Sequence, residues 1–124
     1  MIAGNWRVID GGVTEMINDD NVHKTITELS ELEKGWDGYS AKSIPFNIFE
    51  IAHKTLDLVN DVPQVFPTCR ETIQFEFDKE NKSLELEIYE DKMEILISYD
   101  NSEIFLENLS IEESIVVVNN FNAT

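Results

Sequence analysis

From Glu71 onward the sequence alternates. Ile73, Phe75 and Phe77 take every second position, with Thr72, Gln74, Glu76 and Asp78 between them. The pattern returns with Leu84, Leu86 and Ile88 set against Glu85, Glu87 and Tyr89. It returns again with Met93, Ile95, Ile97 and Tyr99 set against Glu94, Leu96 and Ser98. Successive side chains of an extended chain point to opposite faces, so each run predicts a strand with one oily face and one polar face. The breaks "DKEN", "YEDK" and "YDNSE" are short and turn-like, which requires antiparallel neighbours. Glu103–Asn108 is a candidate fourth strand. A sheet that is oily on one side only needs a cover on that side.

The cover comes from helical segments. Asp19, Asp20 and Asn21 can accept from the free amides of a helix start. Val22, Ile26, Leu29 and Leu32 follow at helical spacing, and Gly35 fits the left-handed position that ends many helices. These signals predict a helix over about 21–34. A second begins near Ser43 and Pro45, where a first-turn proline sacrifices no hydrogen bond. Its apolar face is Ile48, Phe49, Ala52, Leu56 and Val59, and it ends before Pro63. The prolines of "VPQVFPT" push the residues before them into extended conformations. Near the C-terminus, Ser110 and Glu113 form a capping box ahead of Ile111, Ile115 and Val118. The β-branched "IVVV" would also suit a strand, but the box and the first-turn acids favour a helix. Residues 1–12, closing on Gly11-Gly12, read as an arm or a first edge strand. The expected fold is α+β: one domain over 1–124, an antiparallel meander of three to four strands packed on one face by two or three helices.

At 124 residues with 42% hydrophobic content, the chain can bury a core without staples. A single cysteine, Cys69, rules out an internal disulfide and suits a reducing compartment. The first residues lack the basic and apolar regions of a signal peptide, and no apolar run approaches the roughly 20 residues of a membrane span. A cytoplasmic protein without membrane partners is expected. Charge is the strongest global feature, with 25 acids against 9 bases giving −16. Residues 1–70 carry 11 acids and 6 bases, whereas 71–124 carry 14 acids and 3 bases, so the strand half is the more acidic. Such a field repels nucleic acid and attracts basic surfaces.

Between helix and sheet stands "LEKGWDGYSAKSI". Gly35 ends a helix, Gly38 permits a positive φ, Asp37 can cap the turn, and Trp36 is large enough to seal one end of a small core. Gly35, Trp36, Asp37 and Gly38 are therefore read as a structural corner, with Trp36 mostly buried. "GWDGYSAKSI" followed by a helix, and then "PTCRETIQFEFD", resembles a group of small bacterial and phage proteins. These carry a GWDGYGAKPI-like corner and a Pro-Thr, Gly-Gly, Ile-Gln-Leu-Glu-Trp-like strand entry. The resemblance covers about residues 28–90. The chain departs from the pattern at Ser40 and Ser43, and at Arg70-Glu71, where the group tends to have glycines. What the resemblance implies is a small α+β protein linked to mobile elements. It brings no established activity and no catalytic residue.

Most chemistries find no support. Cys69 with His53 or His23 could form a small Cys/His enzyme site, but no glycine-rich oxyanion turn accompanies it. A filler or surface thiol is the plainer reading. There is no C-x-x-C or H-x-x-x-H, "DKENKSLE" lacks the glycine and spacing of a calcium loop, and no nucleotide-binding glycine pattern occurs. No metal and no cofactor are expected. Direct nucleic-acid binding runs against the charge, since affinity for phosphate comes from Lys and Arg.

The polar face of the meander is the remaining candidate. Glu76, Glu85, Glu87, Glu94 and Glu103 would share it, with Tyr89, Leu96 and Phe105 among them. Alternate residues lie roughly 6.5–7 Å apart along a strand and neighbouring strands about 4.8 Å apart. Like charges at that spacing destabilise a sheet. Solvation alone could explain such a face. The functional reading is a docking surface for a basic protein groove, with Tyr89 and Phe105 as anchors. Its most specific form is a phage or mobile-element inhibitor that mimics nucleic acid in the channel of a host defence nuclease (an anti-CRISPR-like role). An antitoxin or immunity-type partner of a basic toxin is the alternative in the same class.

Overall fold

A computed structural model describes residues 5–8, 14–17, 19–38 and 41–123. The described chain forms β1 (Asn5–Val8), β2 (Thr14–Ile17), α1 (Asp19–Leu29), α2 (Phe46–Leu58), β3 (Gln64–Pro67), β4 (Ile73–Lys79), β5 (Lys82–Ile88), β6 (Met93–Tyr99), β7 (Ser102–Leu109) and α3 (Ile111–Asn122). β3 to β7 make one five-stranded sheet in sequence order, every neighbour antiparallel. The fold is α+β, with one more strand than the three to four expected. The addition is β3, which pairs Val65 with Phe75 and Pro67 with Ile73. Its prolines hold it extended, as the sequence indicates, and pairing with β4 makes that extended segment an edge strand.

Within the segment read as an arm or edge strand, Asn5–Val8 is a strand, but it does not join the five-stranded sheet. It pairs with β2 in a two-stranded sheet of their own, Trp6 opposite Met16 and Val8 opposite Thr14. Gly11-Gly12 lie outside the described residues.

The alternation of the sequence becomes the inside and outside of the meander. Ile73, Phe75, Leu84, Leu86, Ile88 and Ile95 are fully buried. They form one core with Val22 and Ile26 of α1, Ile48, Phe49, Ala52 and Leu56 of α2, and Val118 and Phe121 of α3. Helices therefore cover one face of the sheet. α2 starts after an extended Pro45 and stops at an extended Val59. Asn119 of α3 ties down that end: it accepts from the Asn60 N–H at 2.9 Å and donates to the Leu58 carbonyl at 3.3 Å. Residues 111–122 are helix. Both arms of the capping box form, the Glu113 N–H donating to Ser110 Oγ at 3.1 Å and the Ser110 N–H to Glu113 Oε1 at 2.9 Å. Ser110→Ala is expected to cost about 1 kcal/mol, read as a lower urea midpoint at unchanged slope.

α1 stops at Leu29, short of the expected 34. The hydroxyls of Thr25, Thr27 and Ser30 bond back to the carbonyls of Asn21, His23 and Thr27. Short-range bonds from the Ser30, Glu31 and Leu32 amides then tighten the chain out of the helix. Among the described residues no helix is long and apolar enough to cross a membrane.

Candidate functional site

The face of the sheet turned away from the helices carries the predicted side chains. Strand register decides which of them meet: Glu76 stands opposite Glu85, Gln74 opposite Glu87, Glu87 opposite Glu94, Leu96 opposite Phe105 and Ser98 opposite Glu103. Glu76, Glu85, Glu87, Glu94 and Tyr89 are half-buried, while Glu103 and Phe105 are exposed. A shallow hollow of about 150 Å³ lies at the middle, with Leu96 and Phe105 beside Arg70, Gln74, Glu85, Glu87 and Glu94.

The face is not the uniform negative lattice that alternation alone suggests. Arg70 reaches across from the β3–β4 turn and grips Glu87 with both arms of its guanidinium, Nε to Oε2 at 2.8 Å and Nη2 to Oε1 at 3.0 Å. The hydroxyl of Thr72, a buried side chain, adds a third bond to Glu87 at 2.7 Å. Burial pushes the Glu87 carboxyl up, but the bonds from Arg70, Thr72 and Tyr89 outweigh it and hold the pKa below the usual carboxylate value. Glu94 is also compensated. It accepts from the Tyr89 hydroxyl at 3.1 Å and from Lys92 at 3.3 Å, and Lys92 lies 4.9 Å from the centre of the Tyr89 ring. Burial and the neighbouring Glu87 and Glu94 carboxylates push the Tyr89 phenol up to about 12, so it stays a neutral donor.

Among the described residues, no cation bonds Glu76 or Glu85. Burial, and then the charges of Glu85 and Asp78, raise the Glu76 pKa. The face thus has a compensated region at Arg70, Glu87, Tyr89, Lys92 and Glu94, beside a strained acidic pair at Glu76 and Glu85.

Two opposite pH dependences follow. Glu87 has a lowered folded pKa, so its stabilisation is present above the ordinary carboxylate value and is lost as pH falls through the folded one. Glu76 has a raised folded pKa, so its ionised form opposes folding at neutral pH. That penalty disappears as pH falls through the folded pKa to the unfolded one. Glu76→Gln is expected to raise the urea midpoint at neutral pH, and Arg70→Ala to lower it. Both differences should shrink below the carboxylate range. Shifts of the same sign in the two variants would contradict this division of the face.

Arg70, Thr72 and Lys92 are the participants that strand alternation does not reveal. The available signal was that Arg70 is the sole base between Lys54 and Lys79, at the entry to an acidic hairpin. The turn that carries it is sharp: Glu71 adopts φ 62, the left-handed region that favours glycine.

The corner forms differently from expectation. Gly35 and Gly38 do take positive φ, 82 and 83, but Gly35 lies in a separate turn beyond the end of α1. Its N–H donates to the Ala41 carbonyl at 2.6 Å, Asp37 Oδ1 accepts from the Ala41 N–H at 3.2 Å, and the Trp36 indole N–H donates to the Lys42 carbonyl at 3.2 Å. Trp36 is partly exposed, with most of its surface buried. It latches a loop, and the buried side chains nearest in sequence are Ala41 and Ile44.

Cys69 is exposed in the β3–β4 turn, and the histidines find each other instead of it. His23 Nδ1 lies 2.7 Å from His53 Nδ1, and His23 Nε2 lies 2.8 Å from Asp57 Oδ1, joining α1 to α2. Burial, and then the neighbouring His23, lower the His53 pKa. Among the described residues no cluster of three or more His, Cys, Asp or Glu is placed to hold a metal ion.

Comparison with known proteins finds no matching family model, curated protein or solved structure. The functional reading therefore rests on the geometry and charge of this face.

Proposed function

We propose that this chain is a non-enzymatic acidic binding protein whose open sheet face docks into a basic groove of another protein. In its most specific form it is a phage or mobile-element inhibitor that occupies the nucleic-acid channel of a host defence protein. The single observation that supports this most is the Glu76–Glu85 pair, two half-buried carboxylates set opposite each other on adjacent strands. Such a pair opposes folding, and a cationic partner would convert that cost into binding. Beside it, Leu96 and Phe105 give the hollow an apolar surface that can anchor a partner once charge has steered it in. The net charge of −16 supports the sign of the partner, and the resemblance at the Trp36 corner supports the mobile-element setting.

A partner captured on the immobilised protein tests the reading by competition. Excess duplex DNA or RNA, and separately raised salt, are expected to release it, because all three compete for the same cationic groups. A partner released by salt but not by nucleic acid would favour the antitoxin or immunity role over the nuclease channel. A partner held against both would contradict charge-led docking altogether.

A further inference from the structure

The two edges of the five-stranded sheet are built in opposite ways. β3 is four residues long, preceded by Pro63 and ending in Pro67, both of which lack the N–H that a further strand would need. β7 is eight residues long with neither proline nor lysine. Among the described residues it pairs with β6 on one side and with no strand on the other. The helical cover reaches Leu106 and Leu109 but thins towards the start of the strand. Ile97 of β6 is 8% exposed, while its β7 partner Ile104 is 45% exposed; on the open face Phe105 reaches 55%. The register irregularity of β7 falls at the Leu106–Leu109 end, where Asn108 takes φ 57, so the stretch from Ser102 to Leu106, apolar on both faces and free of proline and lysine, is a template for strand pairing.

We infer that β7 accepts an extended, basic segment of a partner protein as a sixth strand. The backbone of such a segment would pair with the free edge of β7. Its alternate apolar side chains would lie beside Ile104 and Leu106 on the helix side. The Lys or Arg side chains between them would lie beside Phe105 and the exposed Glu103 on the open face, with Glu107 adding to the field. A second copy of the chain is the poorer occupant. It brings another net charge of −16, and an antiparallel β7 pair centred on Phe105 sets each Glu103 opposite a Glu107. The inference is independent of docking by the Glu76–Glu85 pair, because backbone groups carry it.

The probes are a synthetic capped peptide of alternating lysine and valine, and the same peptide N-methylated at every residue. The second keeps the charge and side chains but has no backbone N–H to donate. The unmodified peptide is expected to bind at least tenfold more tightly and to slow exchange of β7 amides in the intact protein. Glu103→Lys with Glu107→Lys should abolish that binding, whereas Glu76→Gln with Glu85→Gln should change it less than a few-fold, which separates this edge from the open-face proposal. Equal binding of the two peptides would overturn strand addition, as would a protein that is already dimeric with its β7 amides protected.

Discussion

Phe75→Ala is expected to remove about 3–5 kcal/mol of folding stability, the usual penalty for emptying a buried aromatic site. Phe75 is fully buried at the middle of β4, between Val65 of β3 and Leu86 of β5, and belongs to the core shared with all three helices. The surrounding side chains come from a sheet and from helices that cannot collapse inward without breaking strand register, so most of the cavity would persist. Against a total of roughly 5–15 kcal/mol for an ordinary domain, such a loss leaves little reserve. Urea unfolding should show a much lower midpoint at an unchanged slope. Phe105→Ala on the opposite face should change stability by about 0.5 kcal/mol or less, with little movement of the midpoint. Similar losses from the two variants would mean that the inside and outside of the sheet have been assigned wrongly.

That contrast shows where the sequence was legible. The inward set of the meander could be read because period-two alternation has only two registers, and one of them would bury Glu85 and Glu87. The Ser110–Glu113 box settled a helix that "IVVV" left ambiguous, since a cap is a local interaction among four residues. β3 was less legible: "QVFP" could be recognised as extended, but its pairing with β4 is a tertiary fact with no local signature. The end of α1 was misplaced because apolar spacing continues to Leu32, while the Ser30, Glu31 and Leu32 amides bond three residues back and the Ser30 hydroxyl takes the Thr27 carbonyl, closing the regular helix earlier. Trp36 was expected inside on grounds of size, and most of it is; what its size did not announce is the indole bond to the Lys42 carbonyl.

The candidate face was legible as a set of residues and illegible as a charge distribution. Alternation places Glu76, Glu85, Glu87 and Glu94 on one side of the sheet, but cannot show that Arg70 crosses 17 positions to pair with Glu87. Removing Glu85, Glu87 and Glu94 together would therefore not simply relieve repulsion, because Glu87 and Glu94 accept from Arg70, Thr72, Tyr89 and Lys92. The acids free to serve a partner without unpicking that network are Glu76, Glu85 and Glu103.

The central claim is that this charge steers the protein onto a basic groove, and its most direct test is an association rate. A variant carrying Glu76→Gln, Glu85→Gln and Glu103→Gln keeps the size and strand pattern of the parent and should unfold at no lower urea concentration. Binding to the captured partner is followed by surface-immobilised kinetics at low and high salt. At low salt the variant is expected to associate on the order of tenfold more slowly than the parent, with the gap closing as salt screens the field. Phe105→Ala should instead leave association nearly unchanged and speed dissociation, as an anchor does. A folded triple variant that associates as fast as the parent at low salt would contradict the account.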